Sequence, residues 1–243
     1  MNYKKQLVKF NINTISILSV ILFVVPAAIA LLINLLWLKR PLLITDKVYW
    51  DILIIIGIMA VGLVAHEGIH ALSAMVFGKC AKSDLSFGAN FKQLILYCHV
   101  KKPLTASQYM AMLLPPVIIT GIIPLIISAF CGNVFLIVVF SMLVSGGAGD
   151  FIMFFSLTKR DKKQLILDHP TAPAYYLVYP ENETPDDFVE STEEQEKELS
   201  DEMNNTKGSS GGKSKGLKIL AILVFLAATT LVVFLIALFM KLF

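Results

Sequence analysis

Residues 50–77 read WDILIIIGIMAVGLVAHEGIHALSAMVF. The run is apolar over more than the roughly 18–20 residues a helix needs to cross a hydrocarbon core. Yet it carries His66, Glu67 and His70 within a single helical turn and a half. At bilayer depth each ionisable group costs on the order of 2.5–3.5 kcal/mol on insertion scales. Three so close together require a compensating partner, and a divalent cation is the natural one.

Around this stretch, the 243 residues are 56% hydrophobic and 16% charged, more apolar surface than a water-soluble protein of this size can hide. Five spans are expected, at about 14–38, 50–77, 109–131, 133–157 and 217–242, which makes the expected fold class an all-α polytopic membrane protein. Lys4, Lys5 and Lys9 precede the first span. Lys79, Lys82, Lys92, Lys101 and Lys102 lie between the second and third, and Lys159, Arg160, Lys162 and Lys163 follow the fourth. All three groups share one side if the N-terminus is cytoplasmic, outnumbering Lys39, Arg40 and Lys47 on the other. The expected location is therefore the cell membrane, multi-pass, with a cytoplasmic N-terminus. The apolar run from Thr14 to Leu38 is too long for a signal-peptide core and ends without a small-x-small cleavage site, so it reads as an anchor.

The net charge of +3 is modest and its cations sit in short flanking clusters, which excludes the basic, aromatic-interleaved surface of a nucleic-acid binder. Cys80, Cys98 and Cys131 form no CxxC pair and fall in or beside spans, so they read as reduced thiols rather than an extracellular framework. Pro115, Pro116, Gly121 and Pro124 predict a broken or kinked third span. The runs Leu85–Phe87 and Leu94–Val100, separated by Gly88 and Asn90, predict a small cytoplasmic hairpin. From Asp161 to Gly216 an aromatic stretch gives way to the acidic run Glu190–Glu202 and then Gly-Ser-Ser-Gly-Gly, predicting a disordered acidic linker in the second half. The expected organisation is 1–49 as N-terminal segment and first anchor, 50–160 as a membrane core, 161–216 as cytoplasmic segment and linker, and 217–243 as a C-terminal transmembrane helix.

His66 and His70, four residues apart, share one helical face, a spacing that suits a single zinc ion. Glu67 follows the first histidine directly and is placed to take a proton from attacking water without being a ligand. The plainer reading is a structural polar cluster in which the histidines hydrogen-bond to other helices. Two histidines fall short of the three protein ligands usual for a catalytic zinc. At membrane depth the other spans offer Asp150, in the small-residue stretch Gly146-Gly147-Ala148-Gly149-Asp150. Both His70 and Asp150 fall about seven residues, or roughly 10 Å of helix, inside one boundary, so the three side chains can meet. Otherwise the glycines are a packing motif and Asp150 a polar residue at its edge. His99 and His169 read as ordinary surface or turn residues, and Asn34 as an interhelical hydrogen-bonding group.

This pattern resembles the site-2 protease group of intramembrane zinc metalloproteases, and within it a bacterial branch of zincin-like membrane peptidases. The resemblance rests on His66, Glu67 and His70, the stretch Tyr97-Cys98-His99-Val100-Lys101-Lys102-Pro103-Leu104 before Tyr109 and Leu114-Pro115, Gly146-Gly147-Ala148-Gly149-Asp150, and Asp168-His169-Pro170. It implies zinc ligation by His66, His70 and Asp150, and catalysis through Glu67. The Asn-Pro-Asp-Gly context common around the aspartate of better-known members is absent. The expected activity is zinc-dependent endopeptidase cleavage of a membrane-embedded or membrane-anchored protein substrate near the cytoplasmic face. The rival readings are a non-catalytic zinc-binding scaffold or sensor, which would have no need of Glu67, and a transporter subunit, for which an inverted repeat is expected and none is visible.

Overall fold

In the computed structural model the described residues are 3–38, 48–90, 95–170, 172–181, 184–185 and 188–204. The chain runs β1 (Tyr3–Lys9), α1 (Ile12–Leu32, continued by a wider turn over Ile33–Leu38), α2 (Val48–Phe77), β2 (Leu85–Asn90), β3 (Ile95–Val100), β4 (Leu104–Thr105), α3 (Ala106–Val117), a second wide turn at Ile118–Ile122, α4 (Ile123–Cys131), α5 (Val134–Gly146), α6 (Ala148–Thr158), β5 (Leu165–Asp168), β6 (Ala174–Pro180) and α7 (Glu193–Asn204). The described residues divide into two units: 3–11, Val64–Pro116 and 149–204 belong to the first, and Ile12–Leu63 and Val117–Ala148 to the second.

The first unit overturns the all-α expectation, because it is built around an antiparallel sheet of order β1-β6-β5-β4 beside a separate β2–β3 hairpin. Strand β6, AYYLVYP, is apolar or aromatic at nearly every position and buried over its first five residues, as a strand covered on both faces must be. Its neighbours are Tyr3–Lys9, paired in register from Tyr3↔Pro180 to Lys9↔Ala174, and β5, from Leu165↔Val178 to Asp168↔Tyr175. The lysines of β1, which directly precede the first span in the sequence, lie on an edge strand of the sheet, where charge discourages further pairing. Val100, Leu104, Tyr109, Leu113, Leu157, Ile166, Tyr175 and Leu177 form the buried core that joins the sheet to α3 and α6.

The acidic run is also ordered in part. Thr192 and Gln195 clasp each other, each side chain bound to the other's backbone amide at 3.3 and 3.2 Å, a capping box that starts α7. Glu193, Glu194 and Glu196 fill the first turn, where negative charge meets the helix dipole. Leu199 is buried, Glu196 accepts a hydrogen bond from Tyr176 at 3.3 Å, and Glu198 pairs with Lys9 at 3.8 Å. The linker beyond Asn204 and the expected fifth span at 217–242 lie outside the described residues.

Three helices among the described residues are long and apolar enough to cross a membrane: Ile12–Leu36, Ile52–Phe77 and Ala106–Cys131. Among the described residues these three, or four if the bent pair α5 and α6 is counted as one span, mark the chain as a membrane protein. Ile17, Ile21, Val25, Ile29, Leu32 and Leu36 form an exposed stripe along the first, a face suited to lipid. The expected span at 133–157 is two helices, α5 and α6, bent by 45° at Gly147. The run Gly146-Gly147-Ala148-Gly149 supplies three weak helix formers there.

Within the second unit, small residues let helices approach closely. A Cβ on Gly121 would come within 2.8 Å of the Val144 side chain, and one on Gly62 within 2.7 Å of Leu143. Ser145 donates to the Ser19 carbonyl at 2.8 Å, and the fully buried Asn34 donates to Ala129 at 2.9 Å. Gly132 ends α4 in the left-handed conformation at φ 70°, against the Asn34 amide. Gly132→Ala should cost about 1–2 kcal/mol from backbone conformation alone, with a further penalty because its methyl would sit 2.8 Å from Asn34 Nδ2. The check is a lowered thermal midpoint in detergent, followed by circular dichroism.

Candidate metal centre

Helix α2 carries His66, Glu67 and His70, and its 3.6-residue period stacks the two imidazoles on one face. Their ring centroids are 4.9 Å apart and their planes cross at 73°. Asp150 comes from the first turn of α6, after the break at Gly147. One oxygen, Oδ2, lies 3.1 Å from His66 Nε2, and the other, Oδ1, lies 3.3 Å from His70 Nε2. The structure thus brings together the three residues singled out from the sequence as ligands, with both histidines buried.

The orientation of His70 has a cause in α3. Pro116 has no backbone N–H, so the carbonyl four residues earlier, on Met112, lacks its usual intrahelical donor. His70 Nδ1 lies 3.2 Å from that oxygen and donates to it. In the neutral ring this donation puts the Nε2 lone pair on the side of Asp150, the outer hydrogen bond usual for a metal-binding imidazole.

Where both rings present an Nε2 lone pair, the two nitrogens and the carboxylate converge as three donors on one point, an arrangement that a cation satisfies. The donor atoms of His66, His70 and Asp150 lie within 4.8 Å of one another. Bonds of 2.0–2.1 Å in tetrahedral geometry put ligand atoms about 3.3 Å apart, close to the observed 3.1 and 3.3 Å. The residues present therefore fit a metal ion of zinc's size and preference for nitrogen and oxygen. Glu67 stands beside this cluster and accepts a hydrogen bond from the backbone amide of Cys98 on β3.

A second polar cluster lies on the same strand. Asp168 accepts from the buried Tyr109 hydroxyl at 2.6 Å, from the Val100 amide at 3.2 Å and from His99 Nδ1 at 3.3 Å. The amides of Cys98 and Val100 both leave β3 on the side away from β2, one meeting Glu67 and the other Asp168. His99, read from the sequence as a surface residue, is instead held on this aspartate with its side chain 14% exposed. His169 stays in a turn: its Nδ1 accepts from the Ala172 amide at 3.0 Å and its ring stacks on Tyr176. Burial pushes the Cys98 thiol up to about 12, with Glu67 and Asp168 adding to the shift.

Pro116→Ala would restore an amide that competes for the Met112 carbonyl. It should weaken metal affinity by about 10-fold, within the range for loss of an outer hydrogen bond to a ligand, as read by competition with a chromogenic chelator. The high thiol pKa means that the reactive thiolate stays scarce until pH approaches 12. In a Cys80→Ser/Cys131→Ser background, maleimide labelling of Cys98 should be slow at neutral pH and quicken as pH rises. Glu67→Gln, which removes the neighbouring negative charge, should accelerate it at fixed pH.

Residues 59–165 match the family described as "Putative zincin peptidase", a stretch that contains His66, Glu67, His70 and Asp150 and stops before Asp168. No curated protein and no solved structure matches the chain. Over these residues, fewer than half of the chain, the chain is similar to that family.

Proposed function

We propose that the protein is a zinc-dependent endopeptidase that hydrolyses peptide bonds of a membrane-embedded or membrane-anchored protein substrate. The observation that carries this reading is the convergence of His66, His70 and Asp150 with Glu67 left beside them. A structural metal site has no use for that fourth group. His66, His70 and Asp150 would hold the zinc, which supplies Lewis acidity toward a peptide carbonyl and lowers the pKa of water at the site.

Glu67 accepts the proton of the attacking water and returns it to the departing amine nitrogen. The Cys98 amide steadies its carboxylate. The Met112 carbonyl and Asp150 hold the two imidazoles so that their Nε2 atoms keep a common target. Since Cys98 and Val100 already donate to Glu67 and Asp168, an extended substrate segment would pair with β3 at the Leu96 end of its outer edge, which leads its main chain toward the site. A substrate helix has to unwind before such pairing, since its peptide groups are otherwise bonded within the helix.

His70 lies about 10 Å of helix from the end of the candidate span at Phe77, which favours cleavage close to one membrane face. The orientation of the basic clusters favours the cytoplasmic one, in a multi-pass cell-membrane protein with its N-terminus on that side. The intact motif, the resemblance to site-2 proteases and the match to a zincin family all support this reading.

The test is the full chain purified in detergent with zinc counted by elemental analysis, assayed on labelled transmembrane peptides. Glu67→Gln should keep its zinc and lose at least about 100-fold in cleavage rate, the scale of a general-base contribution. Asp150→Ala should lose both zinc and cleavage. Equal cleavage by wild type and Glu67→Gln, or full zinc affinity in Asp150→Ala, would overturn these assignments.

A further inference from the structure

Away from the metal centre, a groove of about 580 Å³ is lined by Phe10, Ile152, Phe155, Ser156, Lys159 and Arg160. Its apolar part is built rather than incidental. Phe10 tilts against the buried Tyr175 at 5.8 Å, while Phe155 is braced by Phe151 and Phe154 at 6.4 and 5.5 Å and still leaves 60% of its surface exposed. The Ser156 hydroxyl is committed, donating to the Met153 carbonyl at 2.7 Å and lying 3.0 Å from the Tyr175 hydroxyl. Polar recognition at this groove therefore falls to Lys159 and Arg160.

These two begin a run of four cations with Lys162 and Lys163, against one carboxylate, Asp161, whose oxygen accepts the Lys163 amide at 2.9 Å. The basic residues of β1 are otherwise engaged: Lys9 pairs with Glu198, and Lys4 and Lys5 sit over the rings of Phe188 and Tyr176. Among the described residues, none of the four cations after α6 forms an ion pair. In the sequence the groove lies at a membrane boundary from both sides. Phe10 stands just before the candidate span Ile12–Leu36, and Lys159 just after the apolar pair α5 and α6.

A floor of half-buried Phe10 and Ile152 with exposed Phe155, two rim cations without an ion pair among the described residues, and a position where apolar helix gives way to polar chain together specify an amphiphile with a negative head. We propose that this groove binds an anionic phospholipid, with an acyl chain along Phe10, Ile152 and Phe155 and the phosphodiester between Lys159 and Arg160. A soluble phosphate ester would use the cations and leave the aromatic floor bare. The site is independent of the metal centre and of the reaction assigned to it.

The test reconstitutes the full chain in nanodiscs of phosphatidylcholine and phosphatidylglycerol at three to one, and counts lipids retained on release by native mass spectrometry. Wild type should retain phosphatidylglycerol over phosphatidylcholine by about 10-fold relative to the input ratio, the order expected of two interfacial cations. Lys159→Gln/Arg160→Gln should bring that preference to near unity with an unchanged melting temperature. Lys162→Gln/Lys163→Gln, an equal loss of charge outside the groove, should keep most of it, and Phe155→Ala should lower retention of both lipids. Equal retention by wild type, equal loss in the two charge variants, or displacement of the lipid by millimolar glycerol 3-phosphate would each overturn the proposal.

Discussion

A carboxylate with one oxygen 3.1 Å from one imidazole nitrogen and the other 3.3 Å from a second needs those two nitrogens, as N–H donors or as co-ligands of a shared cation, to offset its burial in an apolar setting. Much of the first unit can be understood from that requirement. Helix α2 runs unbroken through His66 and His70 so that both rings face one way. The chain breaks at Gly147 so that Asp150 arrives at the start of a new helix rather than along an old one. Pro116 in α3 releases the Met112 carbonyl that turns His70 toward its target. Each of these would be a defect in a helix bundle designed only for packing.

The site was legible because its information is local. His66, Glu67 and His70 lie within one stretch of helix, so period alone puts the imidazoles together. Asp150 could be found by elimination, as the remaining ionisable group at matching depth. The Met112 contact was half legible: the prolines announced a disturbed helix, but not which carbonyl would be freed or which side chain would take it. The sheet was not legible, since β1 pairs with β6 across more than 160 residues and both strands look like something else in isolation. Lysine-rich Tyr3–Lys9 shows in the sequence as the flank of the span that follows rather than as a strand, and β6 lacks the alternation that marks a half-exposed strand. Helix α7 did have a signal in Thr192-Glu193-Glu194-Gln195, a capping box masked by the acidic composition around it.

Asp168 shows how the sheet serves the candidate metal site. It sits at the end of β5 and gathers Tyr109 from α3 with Val100 and His99 from β3. The same strand sends the Cys98 amide to Glu67. A residue nearly a hundred positions from the histidine motif thereby fixes the strand that steadies Glu67. Its hydroxyl donor, Tyr109, lies in the first turns of α3, whose start is set by Thr105 and Gln108 clasping each other's amides at 3.0 and 3.3 Å.

The pairing of β1 with β6 also bears on how this protein can be handled. Strand β6 presents Tyr175, Tyr176, Leu177, Val178 and Tyr179 in one uninterrupted aromatic and branched segment, and Tyr3–Lys9 covers one of its two hydrogen-bonding edges. Trimming those first residues to tidy a recombinant product would strip away the lysine-bearing edge and leave a bare, sticky ladder. Such a ladder is the ordinary starting point for self-association, so affinity tags belong ahead of Tyr3, with the whole of β1 kept intact.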